Sequence, residues 1–326
     1  MTTQLSISNP IREAPWIGIG VSGQWKDYRE ALYDSQLDFN VIPKDAKVEI
    51  DLGSFPSGGN ATMLTYEIVP GVQVNLMEGS NKILGCVSSQ YGIVQNAQAF
   101  AMLEPFTQAG GVITNAGMTE QGLVFMVLRM RQETIEGDDW DFDVMCTNSF
   151  NGMFPCALMM VPTRIICQNM YRQLMGGRSD ALLHVRHGKL AQDRIEAAST
   201  VTGNVLQYVA SFGAALGVAR QNHMTTKHLE DYMIPMIFPY PKPGGKYEQT
   251  SRERIDQLRE EFIDKYYDAP DNRKFHGTGL GFINAYYDYL SHRSPGKNMP
   301  GSWQDRKLSG LVSGKDVKVK AIKEAM

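Results

Sequence analysis

Cationic side chains are concentrated in one part of this sequence, between residues 164 and 194. Six arginines and lysines stand there against two aspartates, a local charge of +4 (six minus two) in a chain whose formal net charge is −3. Guanidinium and ammonium groups bind phosphate, and such binding weakens steeply as salt rises. The pattern predicts a phosphate-binding surface, and the plainer alternative is a set of solvated surface charges.

A basic surface of this kind would hold single-stranded DNA by charge and by stacking of unpaired bases on aromatic rings. Tyr91 or Tyr171 would supply the stacking. The other residues expected at the interface come from several segments and are Arg129, Arg131, Arg164, Gln168, Asn169, Arg172, Arg186, His187 and Lys189. For Asn169 the plainer role is to cap the helix that it is expected to open.

Acidic residues offer a second chemistry. Glu133, Asp141 and Asp143 could form a metal-dependent nuclease site, but they flank a Gly-Asp-Asp turn, which favours a solvated hairpin tip. His184 and His187 lie three residues apart, so a strand would place them on opposite faces. Because no nucleotide-binding, zinc-protease or serine-hydrolase motif is present, the sequence predicts no cofactor and no metal and favours a non-catalytic protein.

The composition is typical of a soluble globular protein, with 43% hydrophobic and 21% charged residues. The four cysteines, Cys86, Cys146, Cys156 and Cys167, have no C-x-x-C spacing and lie in apolar stretches. They are expected to be reduced core thiols of an intracellular protein. No apolar run is long enough to span a bilayer and no signal peptide is recognisable, so we expect a cytoplasmic location, in the host cell if a phage encodes the chain.

Hydrophobic periodicity predicts an α+β fold. Alternating stretches from 111 to 166 predict an antiparallel β-meander, followed by a long helix over 189–220. We expect an α+β core domain over residues 1–238 and a helical C-terminal region over 239–326, with a basic tail from Arg306 to Lys323.

The long helix carries apolar residues at alternating steps of four and three between Ala191 and Ala219. Such a seam packs on the sheet or on another chain. The second possibility predicts either a homo-oligomer or a phage accessory protein that binds a host protein through this seam.

Several motifs spread in order along the chain resemble those of domain of unknown function 932, a phage/plasmid-like protein family of phages, prophages and plasmids. The motifs are P-W-I-G-I-G at 15–20, L-G-C-V at 84–87 with Tyr91 and Gln95-Asn96, N-S-F-N-G at 148–152, P-T-R-I-I-C-Q-N at 162–169, Arg186-His187, and Gly277-Thr278 with Asn284, Tyr289 and His292.

The resemblance has two departures, because Ile17 and Phe150 stand where the family usually has histidine. If those histidines were catalytic in relatives, this member would be inactive, which favours a structural or ligand-binding signature. The family's members look like replication and recombination accessories of mobile elements. The expected layout is similar to phage single-strand annealing proteins, so the resemblance implies an oligomer that binds and anneals single strands without metal or nucleotide.

Overall fold

An antiparallel sheet forms the centre of the fold in the computed structural model. The structure describes residue 14, residues 16–54, 62–165, 169–170, 181–188, 203–244 and 248–292, the single residues 305, 306, 308 and 310, and residues 318–326. None of the helices in these ranges is both long and apolar enough to cross a membrane.

The large sheet has the strand order β1-β5-β6-β7-β8-β10, and the short strand β9 pairs with one end of β8. Its strands are β1 (Val21–Trp25), β5 (Val112–Met118), β6 (Leu123–Ile135), β7 (Asp138–Ser149), β8 (Cys156–Arg164), β9 (Asn169–Met170) and β10 (Ala181–Val185). The β6–β7 hairpin turns at Glu136 and Gly137, which both have positive φ. The predicted meander from 111 to 166 is therefore confirmed.

A smaller antiparallel sheet has the order β2-β3-β4. Its strands are β2 (Val41–Ser54), β3 (Thr62–Met77) and β4 (Ile83–Ser88). The sequence predicts a loop around Gly53, Pro56 and Gly58, but Gly53 lies inside β2 and the other two positions fall outside the described residues.

Helices accompany the sheets in the described ranges, and together with the antiparallel sheets they confirm the α+β class. They are α1 (Tyr28–Asp34), α2 (Asn96–Phe100), α3 (Glu104–Gln108), α4 (Gly203–Gln221), α5 (Glu248–Asp268), α6 (Gly279–His292) and α7 (Val319–Ala325). Short helical turns at Thr226–His228, Leu229–Met233 and Ile234–Ile237 connect α4 to the C-terminal helices.

The inner face of the large sheet is the face that α4 covers. Phe212 of α4 contacts Trp140 and Phe142 of β7 edge to face, with ring centroids 5.1 and 5.5 Å apart. Phe212, Leu216 and Ala219 are fully buried. The described part of the predicted seam is therefore covered by residues of the same chain, and its first half, 191–202, lies outside the described residues.

The outer face of the large sheet is covered in part by residues that precede β1. Trp16 and Ile19 pack there with Phe125, Val127 and Met159, and all five are buried. Because both faces are covered, β7 is buried along almost its whole length, although its sequence alternates between apolar and polar residues.

The C-terminal helices share the inner core with the sheet. Tyr266 of α5 and Tyr286 of α6 belong to the same buried cluster as Trp140 and Phe142. A boundary between residues 238 and 239 would therefore cut through one continuous core. Of the three cysteines in the described residues, Cys146 and Cys156 are buried, whereas Cys86 is exposed on β4, against the expectation of a core thiol.

Candidate nucleic-acid interface

Arg164 is the least accessible of the predicted phosphate ligands. Its residue is 1% exposed at the end of β8, on the inner face. The guanidinium donates to Asp138 Oδ2 at 2.8 Å and to Asp271 Oδ2 at 2.7 Å, and also to the Asp271 carbonyl oxygen. We call Arg164, Asp138 and Asp271 the inner triad. This arginine joins the sheet to the helical region and is not available to DNA, which corrects its predicted role.

Arg129 is also held by carboxylates, but at the surface. Its Nη2 lies 3.0 Å from Asp141 Oδ2 and its Nε lies 3.3 Å from Asp143 Oδ1, while half of its side chain remains exposed. We call Arg129, Asp141 and Asp143 the outer triad. Arg131, two residues on, pairs with Glu133. Both predicted phosphate ligands on β6 are therefore already neutralised by carboxylates.

The acidic cluster from 133 to 143 is not the solvated hairpin tip that its sequence favours. Asp138, Asp141 and Asp143 are buried, at 8%, 8% and 1% exposure. Gln132 is the cross-strand partner of Asp141, and Glu133 is the partner of Trp140.

That register bears on the predicted acid site, because neighbouring residues of a strand point to opposite faces of the sheet. Glu133 lies on the face opposite Asp141, so the three predicted acids do not share a site. Among the described residues, no group of three or more histidines, cysteines, aspartates or glutamates is arranged to hold a metal.

Two of the predicted residues do meet. The rings of Tyr91 and His187 stack with centroids 4.8 Å apart and planes 16° from parallel. The Tyr91 hydroxyl donates to the Ser149 carbonyl oxygen at 2.8 Å, and burial raises its pKa above the usual value. The ring is thus engaged within the protein, and the segment after β4 and the end of β10 form one corner, which we call the β10 corner.

Close backbone packing fixes this corner. A Cβ atom at Gly92 would come 2.5 Å from the Gly188 carbonyl oxygen, so only glycine allows the approach. Burial lowers the pKa of His187 to about 4. The imidazole is therefore neutral near pH 7 and adds no positive charge, so its part in the corner is packing.

Arg186 differs from the other described cations of the prediction. It is exposed just beyond the end of β10, and it makes no ion pair or hydrogen bond within the described part of the chain. The neighbouring strand residue Val185 is fully buried, and the alternation along β10 turns Arg186 outward.

Four of the remaining predicted residues lie outside the described residues, and they are Gln168, Tyr171, Arg172 and Lys189. Asn169 begins β9, where its backbone pairs with that of Arg164, so it belongs to a strand and does not open a helix as the sequence suggests.

Amide side chains have a structural role that their sequence positions only partly indicate. Gln95 bonds both the N–H and the carbonyl oxygen of Val41, at 2.9 and 2.8 Å, as a neighbouring strand would. Asn96 donates to the Leu37 carbonyl oxygen and accepts from Asn148, which links α2 to β7. The N-cap residue of α2 is Gln95, and Asn96 joins the helix to neighbouring segments.

At the two positions where the family usually has histidine, one side chain packs in the core and the other lines a cavity. Phe150 is 2% exposed and contacts Phe39, with ring centroids 5.9 Å apart. Ile17 lines a cavity beside the outer triad. The sequence did not identify Asp138, Asp271 and Lys274 as interacting residues, because folding alone brings Asp138 and Asp271 to Arg164, and Lys274 to Asp138.

Comparison with known proteins gives one result. The family model described as domain of unknown function (DUF932) matches residues 83–321, a range that begins at β4 and ends within α7. No curated protein matches the chain, and no solved structure does. The matched range includes the β10 corner, the inner triad and the outer triad. The chain therefore belongs to the family of domain of unknown function 932.

Proposed function

We propose that this protein binds single-stranded DNA without catalysis, across the β10 corner, and that it promotes strand annealing in phage or plasmid recombination. The observation that carries the proposal is Arg186, an exposed guanidinium on a fixed corner with no carboxylate partner in the described part of the chain. Such a group is free to contact a phosphate, whereas Arg164 is enclosed and Arg129 is already paired with two carboxylates.

The charge balance of the sequence around Arg186 supports the proposal. Once buried Arg164 is left out, residues 165–194 carry five cations and two acids, a surplus of +3 (five minus two). The surplus is local, because the whole chain has a net charge of −3. A local basic patch of this kind binds a polyanion through counterion release, and the binding needs no base-specific contact.

A filter-binding titration of oligo(dT) with the full-length chain, repeated over a series of salt concentrations, tests the proposal. We expect binding at low salt, and a log–log plot of affinity against salt with a negative slope. Each phosphate contact with a single strand adds about 0.7 to that slope. Arg186→Gln should therefore weaken binding and reduce the slope by about 0.7.

Lys82→Gln is the matched control, because Lys82 is exposed at the far end of β4 from the corner. It should leave both affinity and slope unchanged. Absence of oligo(dT) binding at low salt would remove the proposal. Equal slopes for the wild type and for Arg186→Gln would remove the β10 corner as the site.

Annealing adds a second measurement. Strand-annealing proteins act on long strands as assemblies, so we expect the mass in solution to grow when a long oligonucleotide is added. A monomer whose mass does not respond to DNA would contradict annealing, and a stable complex with a host protein and no oligonucleotide binding would favour the interaction role instead.

A further inference from the structure

The outer triad lies in the wall of a cavity on the outer face of the large sheet. The cavity has a volume of about 260 Å³. The residues before β1 form one wall, with Trp16 and Ile17, and strands β5 to β8 form the other. Ser22, Thr114, Asn115 and Thr163 complete a polar rim around the two carboxylates.

One atom in this wall has no partner. Asp143 Oδ1 accepts from Arg129, but Asp143 Oδ2 has no hydrogen-bond partner among the described residues. The side chain is only 2% exposed, and the little surface that it keeps opens onto the cavity. A carboxylate that is almost removed from water and accepts a single hydrogen bond is under-satisfied. Its position in a cavity wall indicates that a donor from a ligand would complete the site.

The charge of the cavity selects the kind of donor. Two carboxylates face one guanidinium, which leaves one net negative charge when both acids are ionised. Arg129 shows that this acid pair accepts a cationic N–H group with bonds to both carboxylates, at 3.0 and 3.3 Å. Because half of the Arg129 side chain is exposed, its guanidinium can move toward solvent and leave room for a second cation.

We propose that the cavity beside the outer triad binds a small organic cation, an ammonium or amidinium group on an apolar body, with Asp141 and Asp143 as acceptors. The cationic group donates to Asp143 Oδ2 and to Asp141, and the apolar body lies against Trp16 and Ile17. The site is separate from the β10 corner and does not depend on DNA binding.

A divalent metal is a poorer match for the same residues. The acid pair supplies only two carboxylates, and a guanidinium already lies between them. No third acid, histidine or cysteine joins them within the described residues. An organic cation needs fewer ligands than a metal ion does.

Isothermal titration of the full-length chain with benzylamine and with benzyl alcohol tests the proposal. The two probes share one apolar body and differ in the cationic group. We expect saturable binding of benzylamine at about pH 8, where Asp143 is ionised because its pKa, raised by burial, is about 7. Benzyl alcohol should bind at least about tenfold more weakly, since it lacks a charge-assisted hydrogen bond.

Affinity for benzylamine should fall when the pH is lowered below about 7, because Asp143 then takes up a proton. The charged groups that act on Asp143 are Arg129 from β6 and Asp141 from β7 itself, and the residues lining the cavity from β5, β8 and the segment before β1 are uncharged.

Asp141→Asn should weaken benzylamine binding about tenfold or more, and Asp45→Asn, at an exposed position of β2, is the control. Arg129→Met removes the competing cation and also raises the pKa of Asp143, so it should strengthen binding at a pH above that raised pKa, a gain that a misfolded variant would not give. Equal affinities for benzylamine and benzyl alcohol, or an Asp141→Asn variant that binds like the wild type, would overturn the proposal. So would Mg²⁺ or Ca²⁺ binding in place of benzylamine.

Discussion

The inner and outer triads each contain one arginine and two aspartates, but they behave differently. Arg164 is 1% exposed in its side chain and lies 2.8 Å from Asp138 and 2.7 Å from Asp271. Arg129 is 50% exposed and lies 3.0 and 3.3 Å from its two aspartates. In the inner triad the arginine is buried; in the outer triad both aspartates are buried and the arginine reaches solvent.

The two triads differ in exposure because different parts of the chain cover them. The helical region closes over Arg164 with Asp271, and Lys274 adds a second cation to Asp138 at 2.7 Å. The outer triad faces a cavity, so Asp143 is removed from water without gaining enough donors. Burial therefore raises the pKa of Asp143 to about 7. A closed ion pair stabilises the fold, whereas an incompletely bonded one is where a ligand can bind.

Among the substitutions that test this comparison, Arg164→Met is expected to lower the free energy of unfolding most. The substitution leaves buried Asp138 without its main partner and removes the link to Asp271. Loss of one partner from a buried ion pair costs about 3–5 kcal/mol of the free energy of unfolding. Urea denaturation of the full-length chain measures it.

Arg186→Met is the control for that experiment, because the exposed side chain should contribute within about 0.5 kcal/mol. If the two variants unfolded at the same urea concentration, the inner triad would not stabilise the joint between sheet and helical region.

The second prediction concerns the outer triad and the way in which the free energy of unfolding depends on pH. Asp143 in the folded protein keeps its proton up to about pH 7, whereas the unfolded chain releases it near 3.8. The folded state therefore binds more protons between these values, and the free energy of unfolding falls as the pH rises, by at most about 1.4 kcal/mol per pH unit. Above the folded pKa this contribution is lost.

Asp143→Asn has no such proton to release, so its free energy of unfolding should lack this fall. Denaturation series between about pH 4 and about pH 8 compare the variant with the wild type, and Asp45→Asn controls for the loss of one carboxylate. A wild-type profile that rises through this range relative to Asp143→Asn would show that the carboxyl is ionised in the folded protein at low pH.

The smallest effect is expected at the rim of the inner triad, from Lys274→Gln. Lys274 is 46% exposed, and Asp138 keeps Arg164 when the lysine is lost. A pair at the surface contributes about 0–1 kcal/mol to stability, which urea denaturation in low and high salt would resolve. A loss as large as that of Arg164→Met would mean that Lys274, not Arg164, holds Asp138.

Local elements followed closely from the sequence. The helix predicted to end at residue 220 ends at Gln221 in α4, and the side chain of Asp27 caps α1 by accepting from the Arg29 N–H. Such local features follow from the sequence because helical periodicity and capping depend on neighbouring residues alone. The strands of the meander followed from alternation in the same way.

The candidate site was predicted less well. Arg129, Arg131, Arg164 and Arg186 were expected to line one channel, and the structure assigns them to four different surroundings. The meeting of Tyr91 with His187 was not visible in the sequence, because the two residues are far apart in the chain. Nor was the burial of Asp141 and Asp143, since alternation in a strand normally places such residues in water.

The sequence by itself determined the class of fold, the positions of most helices and strands, and the membership of the family, because each depends on patterns carried by consecutive residues. Only the tertiary structure decided which arginine is locked, which is shared with a cavity and which is exposed. The reason is that the free energy of a charged side chain depends on burial and on the opposite charges brought near it, and both come from residues distant in the chain.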